Sequence, residues 1–240
     1  MRHFLTRKMT FIFFITAAMF GRSTLQAQCT DPVFPQTGLT VESFVPQGWL
    51  LKDQVKGDFN ADSIPDIVLL LASNAEQSEA GFMYECHRPL LILKGTQQGY
   101  VLSASCKHAV LCKGCGGAFG DPYESISLEK NVLNINHYGG SAYRWSRNYT
   151  FRFLQNQWLL IGCSESSFWS LGECNGSVGE AGYNLDEANF NTCKAHIIRT
   201  PHQGCEPEKD QWLSFKKMPP VTFQSFDVDR SYIPPALQAR

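Results

Sequence analysis

The sequence predicts an all-β protein, built either as an antiparallel β-sandwich or as a partial propeller-like meander. Short apolar or alternating runs are separated by turn residues, which is the pattern of antiparallel strands. Helical periodicity is scarce, and only residues 186–191 could hold a short helical turn. The 240-residue chain contains nine cysteines, so we expect disulfides within the domain.

The first predicted strands form a meander around one acidic loop. Polar residues 73–80 and a turn at 96–99 separate apolar runs, and a Gly-rich break at 113–120 ends this group. The predicted strands are 49–55, 67–72, 90–95 and 100–103.

The second group is predicted to be a series of hairpins. Glu129-Lys130-Asn131 turns the first pair and Asn156-Gln157 turns the second, where alternating aromatic residues indicate cross-strand contacts. We expect a loop at 172–182 and a frayed segment from Ile233. The predicted strands are 125–128, 132–136, 143–154, 158–162 and 193–200.

The domain organisation follows from these elements. We expect one domain over residues 28–235, with its acidic loop at 57–66 and a tail at 236–240. The chain is too short for a complete seven-bladed propeller, and the acidic loop has no second copy, so a repeat array is not expected.

Residues 1–27 are predicted to be a secretory signal. Basic residues precede an apolar run at 11–20, which is too short to span a bilayer, and small residues lead to a predicted cut after Ala27. No later run is long and apolar enough for a transmembrane segment. We therefore expect an exported protein, either periplasmic or extracellular.

The charge of the predicted mature chain argues against nucleic acid as a partner. Four of the 21 Lys and Arg residues lie in the signal and none of the 22 acids does, so the mature chain carries a net charge of −5. Nucleic-acid binding requires a basic footprint. The expected partner is an unknown protein or carbohydrate.

The loop that precedes the second predicted strand has the composition of a calcium site. Asp58, Asn60, Asp62 and Asp66 occupy positions 1, 3, 5 and 9, and Ile64 could offer its carbonyl at position 7. Calcium binds about 6–8 oxygen ligands, and a cation would relieve the repulsion among the carboxylates. The alternative is an Asp/Asn-rich turn that caps its own backbone without metal.

This loop resembles the integrin-type FG-GAP or VCBS calcium repeat. Residues 57–71 follow its pattern, with Ser63 in place of the usual Gly near the middle. The resemblance implies a calcium cofactor held by Asp58, Asn60, Asp62 and Asp66 and by the Ile64 carbonyl. An EF-hand is not expected, because Ser63 replaces the Gly at position 6 and Leu69 replaces the Glu at position 12.

A wider resemblance covers most of residues 48–162. The segments 120–128, 137–145 and 151–152 are similar to those of exported bacterial proteins of uncharacterised function, which carry one such calcium loop. The resemblance implies export and calcium binding, and it implies no activity.

The cysteines leave several possibilities open. Cys29, close to the predicted cut, could be free, intermolecularly bridged or lipidated. Pairing of neighbours is one connectivity among 105. A zinc site over 106–115 and a redox pair at Cys112 and Cys115 are the alternatives to disulfides there. The neighbour pairs are Cys86 with Cys106, Cys112 with Cys115, Cys163 with Cys174, and Cys193 with Cys205.

A second candidate surface surrounds a flexible Gly-Gly pair. It could bind a sugar or peptide, or it could be a hairpin whose aromatic residues pack into the core. Its candidate residues are Asp121, His137, Tyr143, Arg144 and Trp145.

Two enzymatic alternatives accompany the expectation of a calcium-binding interaction module. An exported hydrolase would use His137, Arg144 and Asp121, and a thiol–disulfide protein would use Cys112 and Cys115. A GxSxG nucleophile motif is absent from the sequence, which favours a protein that is not an enzyme.

Overall fold

Two antiparallel sheets form a sandwich-like fold, which confirms the predicted all-β class. The computed structural model describes residues 31–77, 86–174, 176–179 and 181–238. Residues from Asp31 onward form one compact unit. The predicted signal at 1–27 and Cys29 lie outside the described residues.

The smaller sheet has five strands in the order β1-β5-β4-β3-β2, and every neighbouring pair is antiparallel. It contains the predicted first meander. Its strands are β1 (Thr37–Gly38), β2 (Trp49–Gly57), β3 (Asp66–Ser73), β4 (Arg88–Thr96) and β5 (Gly99–Val110).

The larger sheet has seven strands in the order β14-β13-β12-β9-β8-β7-β6, again antiparallel throughout. A separate two-stranded hairpin pairs β10 with β11. The strands are β6 (Tyr123–Glu129), β7 (Val132–Gly140), β8 (Tyr143–Leu154), β9 (Gln157–Trp169), β10 (Glu173–Cys174), β11 (Ser177–Val178), β12 (Ala181–Asn189), β13 (Lys194–Arg199) and β14 (Lys209–Ser214).

Helical structure in the described residues is short. It consists of 3₁₀ turns at Val41–Phe44, Asn74–Gln77, Lys113–Phe119 and Phe223–Ser225, and an α-helix at Pro235–Gln238.

The main core lies between the facing sides of the two sheets. Val68 and Ile92 from the smaller sheet pack in one cluster with Ile135 and Phe151 from the larger sheet. A second cluster lies on the other side of the smaller sheet, where Phe44 covers the apolar side chains of β3 and β4. Both faces of β3 are therefore buried, which explains its almost continuous apolar sequence.

The outer face of the larger sheet is polar. Side chains alternate along its strands, so the residues on either side of each buried inner residue point away from the core. The outward positions on β6 to β9 include nine Ser, Asn or Thr residues. They are Ser125, Ser127, Asn134, Asn136, Ser146, Asn148, Thr150, Ser164 and Ser166.

Edge strands β2 and β6 connect the two sheets. The Tyr123 hydroxyl donates a hydrogen bond to the Asp53 carboxylate at 2.5 Å. Gly57 lies so close to Leu128 that a Cβ atom would be 2.8 Å from the leucine side chain.

Three sequence expectations require correction. Residues 186–191 were the one segment that could hold a short helical turn, but Asp186 and Glu187 lie within strand β12. The expected loop at 172–182 contains the β10–β11 hairpin. The segment from Ile233 was expected to fray, but Ile233 and Leu237 are buried in the main core.

Candidate functional site

Asp66 anchors the predicted calcium loop to the sandwich. It is the first residue of β3 and is 0% exposed. One carboxylate oxygen accepts the backbone N–H of Phe59 at 2.9 Å, and the other accepts that of Gly95 at 2.8 Å. The loop is therefore fixed to β4 as well as to the strands that it joins.

Gly95 permits this close contact. A Cβ atom at this position would lie 2.2 Å from the Pro65 carbonyl oxygen, so a larger residue would displace the loop. Ile64, the predicted backbone ligand, packs half-buried beside the same glycine.

The tip of the loop wraps around its own side-chain oxygens. Asp58 accepts the backbone N–H groups of Asp62 and Ser63, and Asn60 also accepts that of Asp62. Asp62 in turn accepts the N–H of Ile64 at 2.9 Å. Ser63 has a φ of 67°, so the residue that replaces the usual Gly adopts a left-handed conformation.

The carboxylates of the loop lie near enough to affect one another. Burial raises the pKa of Asp66, and the charges of Asp62 and Asp58 raise it further. The hydrogen bond from the Ile64 N–H lowers the pKa of Asp62, whose other oxygen lies 3.3 Å from Lys94 Nζ. The negative potential of the loop is thus partly balanced by one lysine.

The loop fits calcium by its chemistry. Its donors are carboxylate, amide and carbonyl oxygens, the hard ligands that calcium prefers. In the described part of the chain, no group of three or more His, Cys, Asp or Glu side chains is arranged to hold a metal ion. The oxygens instead accept bonds from the loop's own backbone, as the metal-free alternative expects.

The second candidate surface is divided among separate surroundings. His137 is 0% exposed, and its Nε2 accepts the backbone N–H of Leu111 at 3.3 Å. Burial lowers the pKa of His137 to about 4, with further lowering by Arg147 and Arg88. A hydrolase would need this imidazole to face solvent, whereas it faces the core.

Asp121 belongs to an ion-pair network. Its carboxylate accepts two hydrogen bonds from the Arg88 guanidinium, at 2.7 and 2.9 Å, and lies 3.0 Å from Lys52 Nζ. Burial acts to raise its pKa, but Arg88 and Lys52 hold the pKa of Asp121 below its ordinary value. This carboxylate is occupied by its cationic partners.

The remaining residues of that surface lie on strand β8. Tyr143 is exposed, bonds His202 through its hydroxyl and packs edge-on against Trp169. Arg144 stacks over the Phe119 ring at 4.7 Å. Trp145 packs against the main core, so it is not available as an open platform.

The cysteine pairing is partly as predicted. The disulfide between Cys112 and Cys115 is confirmed. A second disulfide joins Cys174 to Cys205. The pairings expected for Cys163 with Cys174 and for Cys193 with Cys205 are therefore wrong.

Cys106 and Cys163 are not disulfide-bonded, and strand alternation points both side chains into the core. The expected pairing of Cys86 with Cys106 is therefore wrong, although Cys86 is disulfide-bonded. Cys193 is also not disulfide-bonded and is half-buried. Burial raises the pKa of the Cys106 thiol to about 12, so this sulfur is a poor metal ligand.

The surroundings of Cys112 and Cys115 do not favour redox exchange. Cys112 is fully buried. The Lys113 ammonium, which could have stabilised a thiolate, donates to the Glu76 carbonyl at 2.7 Å.

The sequence did not predict the cavities of the described residues. One of them is an apolar pocket of about 320 Å³ between Ile161, Phe190 and the Pro219–Pro220 segment. Another is a groove of about 170 Å³ on the polar outer face, between Asn148 and Glu187. Alternating polar residues such as Asn134 and Asn136 were the available signal for this face.

Comparison with known proteins gave no match to a family model, a curated protein or a solved structure. No helix in the described ranges has the length and apolar character that crossing a membrane requires. The two disulfides are typical of a protein from an oxidising environment.

Proposed function

We propose that this chain is an exported, calcium-binding β domain that acts as a binding or interaction module. The proposal is carried by the anchoring of the 57–66 loop. Buried Asp66 ties the loop to β4, and the side-chain oxygens of Asp58, Asn60 and Asp62 lie at the loop's tip, where they accept backbone N–H groups. The likeness of the loop to the FG-GAP repeat supports the same conclusion.

A bound ion would stabilise the junction of three strands. Calcium would compete with Lys94 for Asp62 and would neutralise the repulsion that Asp58 and Asp62 exert on Asp66. If calcium binds the folded loop and not the unfolded chain, binding would increase the free energy of unfolding by mass action.

Export fits the cysteine chemistry. The disulfides between Cys112 and Cys115 and between Cys174 and Cys205 would persist in a periplasmic or extracellular setting. The hydrolase and thiol–disulfide alternatives gain no comparable support, since His137 and Cys112 are both fully buried.

Calcium titration of the melting temperature tests the proposal. At about one hundred times the Kd, calcium should raise the melting temperature by roughly 5–10 °C, and EGTA should reverse the shift. Asp58→Ala and Asp62→Ala should abolish it. Asp66→Ala is a poor test because this carboxylate also satisfies two buried N–H groups.

Asp31→Ala is the matched control, because Asp31 is an exposed carboxylate paired with Lys107 outside the loop. This variant should keep the full calcium shift. A wild-type melting temperature that is the same in calcium and in EGTA would reject calcium binding.

A further inference from the structure

A continuous row of outward side chains crosses all seven strands of the larger sheet. Each member is the direct cross-strand partner of the next. With strands about 4.8 Å apart, the row is roughly 29 Å long. From β14 inward it consists of Trp212, His196, Glu187, Ser164, Asn148 and Asn136, and it ends at Ser125 on β6.

The inner half of this row is a fixed set of neutral hydrogen-bonding groups. Asn148 donates to the Ser164 hydroxyl at 3.0 Å, and Asn136 donates to the Ser125 hydroxyl at 3.0 Å. Each amide retains a further N–H and acceptor capacity. Because each asparagine is hydrogen-bonded to the serine on the neighbouring strand, a ligand would find these groups already ordered.

A groove of about 170 Å³ lies along the middle of the row. Its lining includes Gly162, Asn148, Glu187 and Asn189. The backbone is close here, since a Cβ atom at Gly162 would lie 3.3 Å from the Ala188 carbonyl oxygen. The exposed Glu187 carboxylate is placed to accept hydrogen bonds from a ligand in this groove.

The outer end of the row is an aromatic platform. Trp212 is 66% exposed and stacks on His196, with ring centroids 4.4 Å apart and planes at 6°. A hydrogen bond of 2.7 Å between His196 Nε2 and the Asp210 carboxylate fixes the imidazole. One indole face therefore packs on the protein and the other faces solvent.

We propose that this row binds a neutral, extended polysaccharide that lies across the strands. A sugar ring would stack its C–H face on Trp212, vicinal hydroxyls would bond the Glu187 carboxylate, and further hydroxyls would bond Asn148 and Ser164. The four members of the row on β6–β9 are Ser or Asn and carry no charge, which matches an uncharged ligand. The inference rests on the proposed role as a binding module and does not depend on calcium.

A protein strand would be a poor occupant of the same surface. Strand addition uses the backbone groups of a sheet edge, whereas this row crosses the face of the sheet, where those groups are already paired.

Affinity electrophoresis tests the inference. The full chain would be run in native gels that contain hydroxyethyl cellulose, xyloglucan, galactomannan or dextran. We expect at least one polymer to retard the protein, and we expect Trp212→Ala and Glu187→Gln each to weaken binding at least tenfold. Both residues are exposed, and circular dichroism would establish that the variants fold.

Matched controls alter similar groups elsewhere. Leu171→Ala removes another exposed apolar side chain, and Glu129→Gln neutralises an exposed glutamate at the end of β6. Both should retain wild-type retardation. The inference is overturned if none of the four polymers retards the protein, or if the row variants bind as tightly as the controls.

The two proposals are separated by repeating the gels with EGTA and with Asp62→Ala. Retardation that survives both would leave the polysaccharide site in place even if calcium binding had failed. A calcium shift in melting temperature without retardation would retain the metal and reject this ligand.

Discussion

His137 has a chemistry that its sequence context did not indicate. The surrounding His-Tyr-Gly-Gly segment has the composition of a flexible surface turn, yet strand alternation places His137 on the inner face with Leu133 and Ile135. One residue of register decides whether the imidazole is a surface group or a core group. The composition of the segment therefore could not show whether His137 faces the core or the solvent.

Stability should fall in acid because of this imidazole. Its pKa is about 4 in the folded protein, against about 6.5 when unfolded, so between these values the unfolded chain binds the proton. The contribution is fully present above about pH 6.5 and is lost as the pH falls toward 4, by about 3 kcal/mol in total. Urea unfolding of wild type and His137→Gln across this range should show a flatter dependence in the variant.

His202→Gln provides the comparison, because His202 is exposed at the surface. Its pH dependence should follow that of wild type. If His137→Gln and wild type lose stability in parallel from pH 6.5 to 4, the buried imidazole does not contribute in this way.

At the scale of elements, the turns could be predicted from the local sequence, whereas the packing between distant strands could not. The hairpin predicted at Lys130 is present, and so is the one at Asn156, with both residues in the left-handed region. Strand β12 was missed because Asp186 and Glu187 interrupt its apolar pattern, although its pairing with β9 and β13 decides its conformation. The cysteine pairing could not be predicted for the same reason, because it depends on which strands the fold brings together.

The β7–β8 turn depends on Gly140. Its φ is +110°, and a Cβ atom would lie 2.0 Å from the Tyr143 carbonyl oxygen. Gly140→Ala should therefore combine backbone strain with a clash and should cost on the order of 2–4 kcal/mol in urea unfolding.

Gly120→Ala separates the two effects. Gly120 has a φ of +92°, but nothing lies within 4 Å of the added Cβ atom, so only the backbone strain applies. We expect the smaller loss here, on the order of 1 kcal/mol. Equal losses in the two variants would show that the contact with Tyr143 does not matter.

At the scale of the whole molecule, a buried ion-pair network joins the sheets. Arg88 on β4 is 0% exposed. Its Nη2 atom lies 2.7 Å from the Glu76 carboxylate, and its Nη1 atom lies 2.7 Å from the carboxylate of Asp121, just before β6. The all-β class and the acidic loop were predictable because their patterns are local. This network was not, since Glu76 and Asp121 become neighbours only through the fold.

Arg88→Ala should be among the most destabilising substitutions. Removal of the guanidinium leaves the Glu76 carboxylate buried without its partner, and the expected cost is about 3–5 kcal/mol in urea unfolding. Lys107→Ala breaks an exposed pair with Asp31 and should cost at most about 1 kcal/mol. Similar losses in both variants would contradict a special role for the buried network.

The packing of β2 against β6 also determines which edge strands remain open to pairing with another chain. In the five- and seven-stranded sheets, the edge strands β2 and β6 pack against each other through side chains, which leaves β1 and β14 as the opposite edges of these two sheets. β1 is only two residues long, so β14 is the longer template for edge-to-edge aggregation. Lys209 and Asp210 on that strand act as charged gatekeepers against such growth.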